Sequence, residues 1–246
     1  MSSLRTAVSA VAAPVLAAPV LAAAVHAAPA LTARGPLLRV LPRLAGRGRT
    51  GGVSLTFDDG PDPAGTPLVL DALDRLGWTA TFFMLGSQAR RHPDVARSVV
   101  LAGHEVAVHG DVHDNHLGRS PRWVADDLAR ACGDLRAITG ARPRWFRPPY
   151  GVLSAGSLRA ARSLDLAPVL WTAWGKDWLA PSPGRVLATL LEGLAEGGTV
   201  LLHDSDCTSR PGSHLSTAAV LPLLADELRW RGLEVRPLAD HGVGRR

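Results

Sequence analysis

Val53-Ser54-Leu55-Thr56-Phe57-Asp58-Asp59-Gly60-Pro61 is the stretch from which the rest of the chain can be read. Val53 to Phe57 is a short apolar, β-favouring run and reads as a buried strand. Two adjacent carboxylates close it. Neighbouring residues on an extended chain point opposite ways, so Asp58 and Asp59 serve one site only if the chain turns, and Gly60-Pro61 supplies a turn. Taken alone, Asp-Asp-Gly reads as an acidic turn that caps the next helix.

Outward from this strand, short apolar runs alternate with longer amphipathic ones as far as Leu238. Thr66 offers a helix N-cap with Pro67 behind it. Leu70, Leu73 and Leu76 follow at helical spacing, and Gly77 stops the helix. Strands are expected at Thr79–Leu85, Glu105–Val108, Trp145–Arg147, Pro168–Trp171, Thr199–Leu202 and Glu234–Leu238. Helices are expected at Pro93–Ala102, Pro121–Thr139, Ser157–Ser163, Gly184–Ala195 and Thr217–Trp230. About seven strand-helix units argue for an α/β fold with a parallel sheet and helices outside. The length favours a barrel, although periodicity by itself does not separate a barrel from an open sheet.

The polar residues of interest fall just after strands, where parallel α/β folds place their sites. His109-Gly110-Asp111-Val112-His113 holds two histidines four apart, a spacing that puts both imidazoles on one face of a helical turn. With Asp59 they make a two-histidine, one-carboxylate set with open positions, which suits Zn²⁺ and also Fe²⁺ or Co²⁺. His104 and His116 are nearby but fit the strand and the spacing less well as ligands. Arg147-Pro148-Pro149-Tyr150-Gly151 is a stiff turn, and an arginine there can orient an aspartate by a paired hydrogen bond. The segment from Trp171 to Trp178 carries three of the seven tryptophans. Trp171 is expected in the core, and the others suit stacking on a sugar or walling a small apolar pocket. His203 alone would read as a satisfied core histidine.

Bulk properties bound the alternatives. The chain has 246 residues, enough for one large α/β domain. It carries a formal charge of +5, yet Lys176 is the sole lysine among 27 basic residues. The arginines are scattered and aromatics make up 5% of residues, so a nucleic-acid partner is not expected. Residues 1–30 form an apolar segment. Arg5 precedes an uncharged run from Thr6 to Val25, and Val25-His26-Ala27 offers small residues for cleavage. The segment reads as a secretory signal or an uncleaved anchor. A secreted or envelope protein is the expectation, with a cytoplasmic one as the alternative and a membrane partner only if the segment is retained. Residues 31–52 are rich in Arg, Gly and Pro and read as a linker. Cys132 and Cys207 form no C-x-x-C pair, so a thiolate zinc site is not expected, and one disulfide is open to an exported chain.

Together these residues resemble the polysaccharide deacetylases, the NodB-like domain of carbohydrate esterase family four. Motifs match in order from Thr56–Pro61 through His109–His113, Arg147–Gly151 and Asp177-Trp178 to Leu201–Asp204, within a domain spanning 53–240. The resemblance implies a deformed (β/α) barrel and a metal-dependent hydrolase that removes N-acetyl or O-acetyl groups from an acetylated glycan such as a chitin oligomer or peptidoglycan. It implies Asp59, His109 and His113 as ligands of a divalent metal, Zn²⁺ first. It further implies Asp58 as base, His203 as acid, Arg147 as the partner of Asp58 and Asp177 as the charge partner of His203. Tyr150 would contribute its backbone N–H to the oxyanion, and Trp178 and Leu201 would wall the acetyl methyl. Two departures stand out. Gly110 replaces a frequent Ser or Thr, which would loosen the loop between the ligands. Trp174 replaces a frequent aspartate, which would change substrate preference. The rival readings are a metal-dependent hydrolase of a non-sugar amide or cyclic imide, and a non-catalytic glycan-binding domain. Neither the glycan nor the oligomeric state is specified by the sequence.

Overall fold

A computed structural model describes residues 12–32, 38 and 40–243. The chain runs α1 (Ala12–Thr32), β1 (Gly52–Asp58), α2 (Gly65–Leu76), β2 (Thr81–Met84), α3 (Gly86–Arg91), α4 (Pro93–Leu101), β3 (Glu105–Val108), α5 (Pro121–Thr139) and β4 (Trp145–Phe146). It continues through α6 (Ala155–Ser163), β5 (Ala167–Pro168), β6 (Ala173–Trp174), α7 (Pro183–Leu191), β7 (Thr199–His203), α8 (Ser213–Arg231), β8 (Glu234–Arg236) and α9 (Leu238–His241).

Every residue of β1 is buried, as expected of a central strand in a parallel sheet. The strand order is β5-β4-β3-β2-β1-β7-β6, with β8 pairing the first residues of β1, and all pairs are parallel. Alternation divides each strand between two environments. Leu55, Phe57, Phe82 and Met84 enter the large cluster shared with the helices, whereas Phe83, Ala107 and Trp145 meet Val169 and Leu238 in a second cluster.

The sheet curls until its edges nearly meet. β5 and β6 are separated by four residues in sequence but lie at opposite ends of the strand order. The intervening segment bridges the gap: Val169 N donates to Phe146 O (2.9 Å), Leu170 N to Leu44 O (2.7 Å) and Thr172 N to Thr199 O (2.9 Å). The result is the deformed (β/α) barrel. The single strand expected at Pro168–Trp171 is therefore corrected to two short strands flanking a bridge, because successive residues there pair with different parts of the molecule.

Other boundaries follow the sequence signals closely. β3 and α5 have the expected ends, Gly77, Gly140 and Gly232 close their helices in the left-handed conformation, and Ser120 caps α5. Thr66 is not an N-cap; α2 begins at Gly65, and the Thr66 hydroxyl accepts from Asp62 N and donates to Asp204. α3 carries no strong periodic signal because it has only six residues.

The described part of the 31–52 stretch is not a free linker. Ala45 is buried, Thr199 Oγ1 donates to Gly46 O (2.6 Å) and Gly48 N donates to Gly197 O (2.8 Å). This segment helps close the barrel. Arg5 and the start of the apolar N-terminal run lie outside the described residues. The remainder forms α1, which contacts α6. Among the described residues no helix is long and apolar enough to cross a membrane. Cys132 and Cys207 are both free thiols, the first buried and the second exposed.

Candidate active site

The ends of β1 and β3 bring three potential ligands together. Asp59 leaves β1 at a positive φ of 80°. His109 follows β3, with its N–H bonded to Met84 O (2.9 Å). Its Nδ1 lies 2.9 Å from Arg147 O. A carbonyl can only accept, so Nδ1 carries the proton and Nε2 presents its lone pair. His109 Nε2 and His113 Nε2 stand 3.2 and 3.4 Å from Asp59 Oδ1, and one ligand atom from each residue falls within 4.8 Å of the others.

This donor set fits a divalent cation. Asp59 Oδ1 is buried, and among the described residues no hydroxyl or backbone N–H reaches it. Burial pushes the Asp59 carboxyl upward, but contact with His109 and the charges of His203, His109 and His113 outweigh burial and hold it well below the usual carboxylate range. Burial lowers His113 to about 4, which keeps its imidazole neutral as a ligand must be. The group therefore offers two neutral nitrogens and one anionic oxygen to a cation.

The histidines do not share a helical face. Residues 109–113 form a loop, with Gly110 at a φ of 109°. Asp127 of α5, fully buried, accepts from Asp111 N (2.9 Å) and Val112 N (3.2 Å). A Cβ at Gly110 would lie 3.1 Å from Asp127 Oδ2. Gly110 thus permits the loop to approach its clamp, and the expected loosening is replaced by a pinned loop. Asp127 was not legible as a site residue, because in sequence it is one more acidic position on an amphipathic helix.

Asp58 and His203 are register partners on β1 and β7. Arg147 reaches Asp58 from behind β4: its NH1 donates to Asp58 Oδ1 (2.6 Å) and Thr56 Oγ1 (2.9 Å). Its remaining nitrogens donate to Val169 O (3.4 Å) and Leu170 O (2.9 Å), and its guanidinium lies 4.1 Å over the Phe83 ring. The fork is divided between a carboxylate and the carbonyls of the barrel bridge, so the expected paired bond to Asp58 is a single one. Asp58 Oδ2 lies 3.8 Å from His109 Nε2, on the side of the ligand set.

His203 is held by one carboxylate through two atoms. Its backbone N donates to Asp177 Oδ2 (2.7 Å) and its Nδ1 lies 3.0 Å from Asp177 Oδ1. Thr217 Oγ1 also donates to Asp177 Oδ2 (2.7 Å). Burial disfavours the imidazolium, but Asp177 first, then Asp59 and Asp58, raise His203 to about 10. It is a satisfied histidine whose surroundings favour the protonated ring.

These side chains line a cavity of about 590 Å³. Trp171, Trp174, Trp178 and Leu201 supply apolar walls. Trp174 and Trp178 stack at 6.3 Å between centroids, and Trp171 tilts against Trp174 at 5.7 Å. Trp171 is half-buried: it packs against the main core cluster, as expected, and also lines the cavity. A Cβ at Gly151 would fall 2.6 Å from its ring, so only glycine allows that packing. Tyr150, at a φ of 59°, is 59% exposed and sets its ring edge against His113 at 4.4 Å. Thr208 and Ser209 also line the cavity, and Thr208 Oγ1 donates to Asp59 Oδ2. Their only sequence signal is a polar loop a few residues beyond His203. His104 and His116 stand apart from the ligand set, as expected: His116 bonds to Ser157 Oγ (3.1 Å) and stacks on Phe146, while His104 receives Ala80 N (3.3 Å).

Residues 45–169 match a family model described as polysaccharide deacetylase. A chitooligosaccharide deacetylase of Bradyrhizobium sp. is 36% identical over 200 residues, covering 77% of this chain and 90% of that protein. A peptidoglycan N-acetylglucosamine deacetylase of known structure superposes with a TM-score of 0.77 at 27% identity, over 85% of this chain and 97% of that one. A CE4 family pseudoenzyme from Bacillus anthracis superposes with a TM-score of 0.72 at 25% identity, over 79% of this chain and 66% of that one.

Proposed function

The chain belongs to the polysaccharide deacetylase family, and on that premise we propose that it removes N-acetyl groups from glucosamine units of a chitin-type oligomer or of peptidoglycan. Asp59, His109 and His113 hold the divalent cation, and two imidazoles with one carboxylate favour Zn²⁺, with Co²⁺ and Fe²⁺ as substitutes. The observation that carries the reading is the convergence on one cavity of this donor set, an arginine-held carboxylate and an aspartate-held imidazolium.

A divalent cation held by Asp59, His109 and His113 would supply Lewis-acid chemistry, polarising the amide carbonyl and acidifying the attacking water. Asp58, fixed by Arg147 through Oδ1, keeps Oδ2 to accept the proton of the attacking water. The Tyr150 backbone N–H stabilises the developing oxyanion. His203, with Nδ1 engaged by Asp177, delivers the proton on Nε2 to the leaving nitrogen. The C–N bond breaks, and acetate and a free sugar amine leave. Trp178 and Leu201 enclose the acetyl methyl, while Trp174 widens that apolar wall. Removing the Asp58 carboxylate by Asp58→Asn is expected to cost about 10²–10⁴ in kcat.

The neighbouring pseudoenzyme gives weight to a second reading, a non-catalytic glycan-binding domain on the same fold. The intact Asp58–Arg147 and His203–Asp177 pairs favour catalysis. Acetate release should be measured on N-acetylglucosamine oligomers, peptidoglycan and an O-acetylated xylan, beside hydrolysis of a cyclic imide. Acetate from the N-acetylated glycans is the expected result. Turnover of the imide alone would sink the sugar reading, and glycan binding without turnover would establish the second one.

A further inference from the structure

Asp59 leaves β1 at a φ of 80°, a conformation uncommon for residues with a side chain, although Asp adopts it more readily than most. The segment after β7 holds this turn. Asp204, 1% exposed, accepts from Gly60 N through Oδ1 (3.2 Å) and from Thr66 Oγ1 through Oδ2 (2.5 Å). It thereby ties the turn after β1 to the first turn of α2. The approach is close enough that a Cβ on Gly60 would lie 2.3 Å from Asp204 Oδ2. Four residues further on, Thr208 Oγ1 donates to Asp59 Oδ2. That engages one carboxylate oxygen and leaves Oδ1 facing the Nε2 atoms of His109 and His113. One contact fixes the turn, the other the carboxylate rotation.

We propose that Asp204 and Thr208 are positioning residues for the metal centre, which together present Asp59 as a ligand through Oδ1 alone. The inference rests on the reading that Asp59, His109 and His113 hold a divalent cation. Neither residue is a ligand itself. Without the Thr208 hydroxyl, the Asp59 carboxylate could turn about its last bond and offer the other oxygen or both. Without the Asp204 carboxylate, the Gly60 N–H loses its acceptor and the turn its tie to α2. Hydrogen-bond partners of metal ligands typically account for 10–100-fold in metal affinity.

The test uses the full chain. Zn²⁺ dissociation constants are measured by competition with a chromophoric chelator, and the visible spectrum of the Co²⁺-loaded protein reports ligand geometry. Thr208→Val keeps the shape and removes the hydroxyl; it should weaken Zn²⁺ binding about 10–100-fold and alter the Co²⁺ bands. Thr208→Ser should restore both. Asp204→Ala should also weaken binding. Asp204→Asn should bind nearly as the parent does, because its carbonyl still accepts from Gly60 N and its amide can donate to the Thr66 oxygen. Circular dichroism on each variant checks folding, and if Asp204→Ala does not fold, the Thr208 pair decides. Parent-like Zn²⁺ affinity and an unchanged Co²⁺ spectrum in Thr208→Val would overturn the proposal while leaving the metal site standing. A parent protein that binds neither metal would overturn both.

Discussion

Replacing Asp177 by asparagine removes the charge beside His203 and leaves the group nearly the same shape. Asp177 is fully buried, lies 3.0 Å from His203 Nδ1, and takes the His203 N–H and the Thr217 hydroxyl on its other oxygen. An amide can keep the Nδ1 contact and at least one of the others. What it loses is the attraction between carboxylate and imidazolium. At an effective dielectric constant of ~20 and a charge separation of ~4 Å that attraction is about 4 kcal/mol, or roughly 3 pKa units at 1.36 kcal/mol per unit. His203 stands at about 10 with the carboxylate in place, so the amide should bring it down to about 7. The proposed acid works only when protonated. Activity should therefore fall as pH rises through the His203 pKa, and this basic limb should move down by about 2–3 units in Asp177→Asn. At about pH 9 the protonated fraction, and kcat/KM with it, should drop roughly 100-fold, while at about pH 6 the two proteins should differ far less. A bound cation offsets the help that His203 receives from Asp59, so His203 titrates lower in the loaded enzyme than in the metal-free protein, and the difference between the loaded parent and the loaded variant carries the test. The assay is acetate release across pH at fixed metal saturation. A basic limb that does not move would refute the assignment of His203 as the acid.

Four further outcomes follow from the same geometry. Arg147→Met leaves Asp58 buried without its cationic partner, and should cost about 3–5 kcal/mol in urea unfolding as well as activity. His104 and His116 are lowered by burial from 6.5 to about 4. Their folded pKa values lie below their unfolded ones, so the stability they contribute is fully present above 6.5 and is lost as pH falls toward 4, on the order of a few kcal/mol for each. The urea midpoint of metal-free protein should fall across that window. Asp127→Ala strips the buried Asp111 N–H and the partly buried Val112 N–H of their acceptor, at about 1–3 kcal/mol for the buried one and less for the other, and should lower the melting temperature and loosen metal binding together. Gly110→Ala forces a methyl group into a left-handed turn beside Asp127 Oδ2, and should lower the melting temperature without changing the acidic or basic limbs of the rate.

The parallel barrel was legible because β1, β3 and α5 carry strong local signals and their ends coincide with strand-end polar residues. The structure brings Asp59, His109 and His113 together and sets Arg147 against Asp58 and Asp177 against His203, all at or shortly beyond strand ends where polar residues drew notice in the sequence; the pairing of the last four came from the family resemblance, not from position. Three features were hidden for physical reasons. The Pro168–Trp171 run has the composition of a strand, but its residues pair in turn with Phe146, Leu44 and, beyond it, Thr199, and closure of a sheet leaves no local pattern. The Arg- and Gly-rich stretch near Leu44 looks like a tether, yet its carbonyls supply acceptors at the barrel seam. Asp127 and Thr208 act through backbone atoms or through another side chain, and such roles have no spacing rule in sequence; Asp204 stood in the last motif, but its contacts with Gly60 N and Thr66 did not show there. His109 and His113 were paired correctly by spacing although the helical turn used to justify it is a loop, because a glycine at a φ of 109° brings the two rings to 5.3 Å by another route.

The most direct test of the account is acetate release from an N-acetylglucosamine oligomer by protein stripped of metal with a chelator and then titrated with Zn²⁺. The account predicts that stripping abolishes release, that about one equivalent of Zn²⁺ restores it, and that neither His109→Ala nor His113→Ala recovers at the same concentration. Undiminished release from rigorously metal-free protein would contradict it.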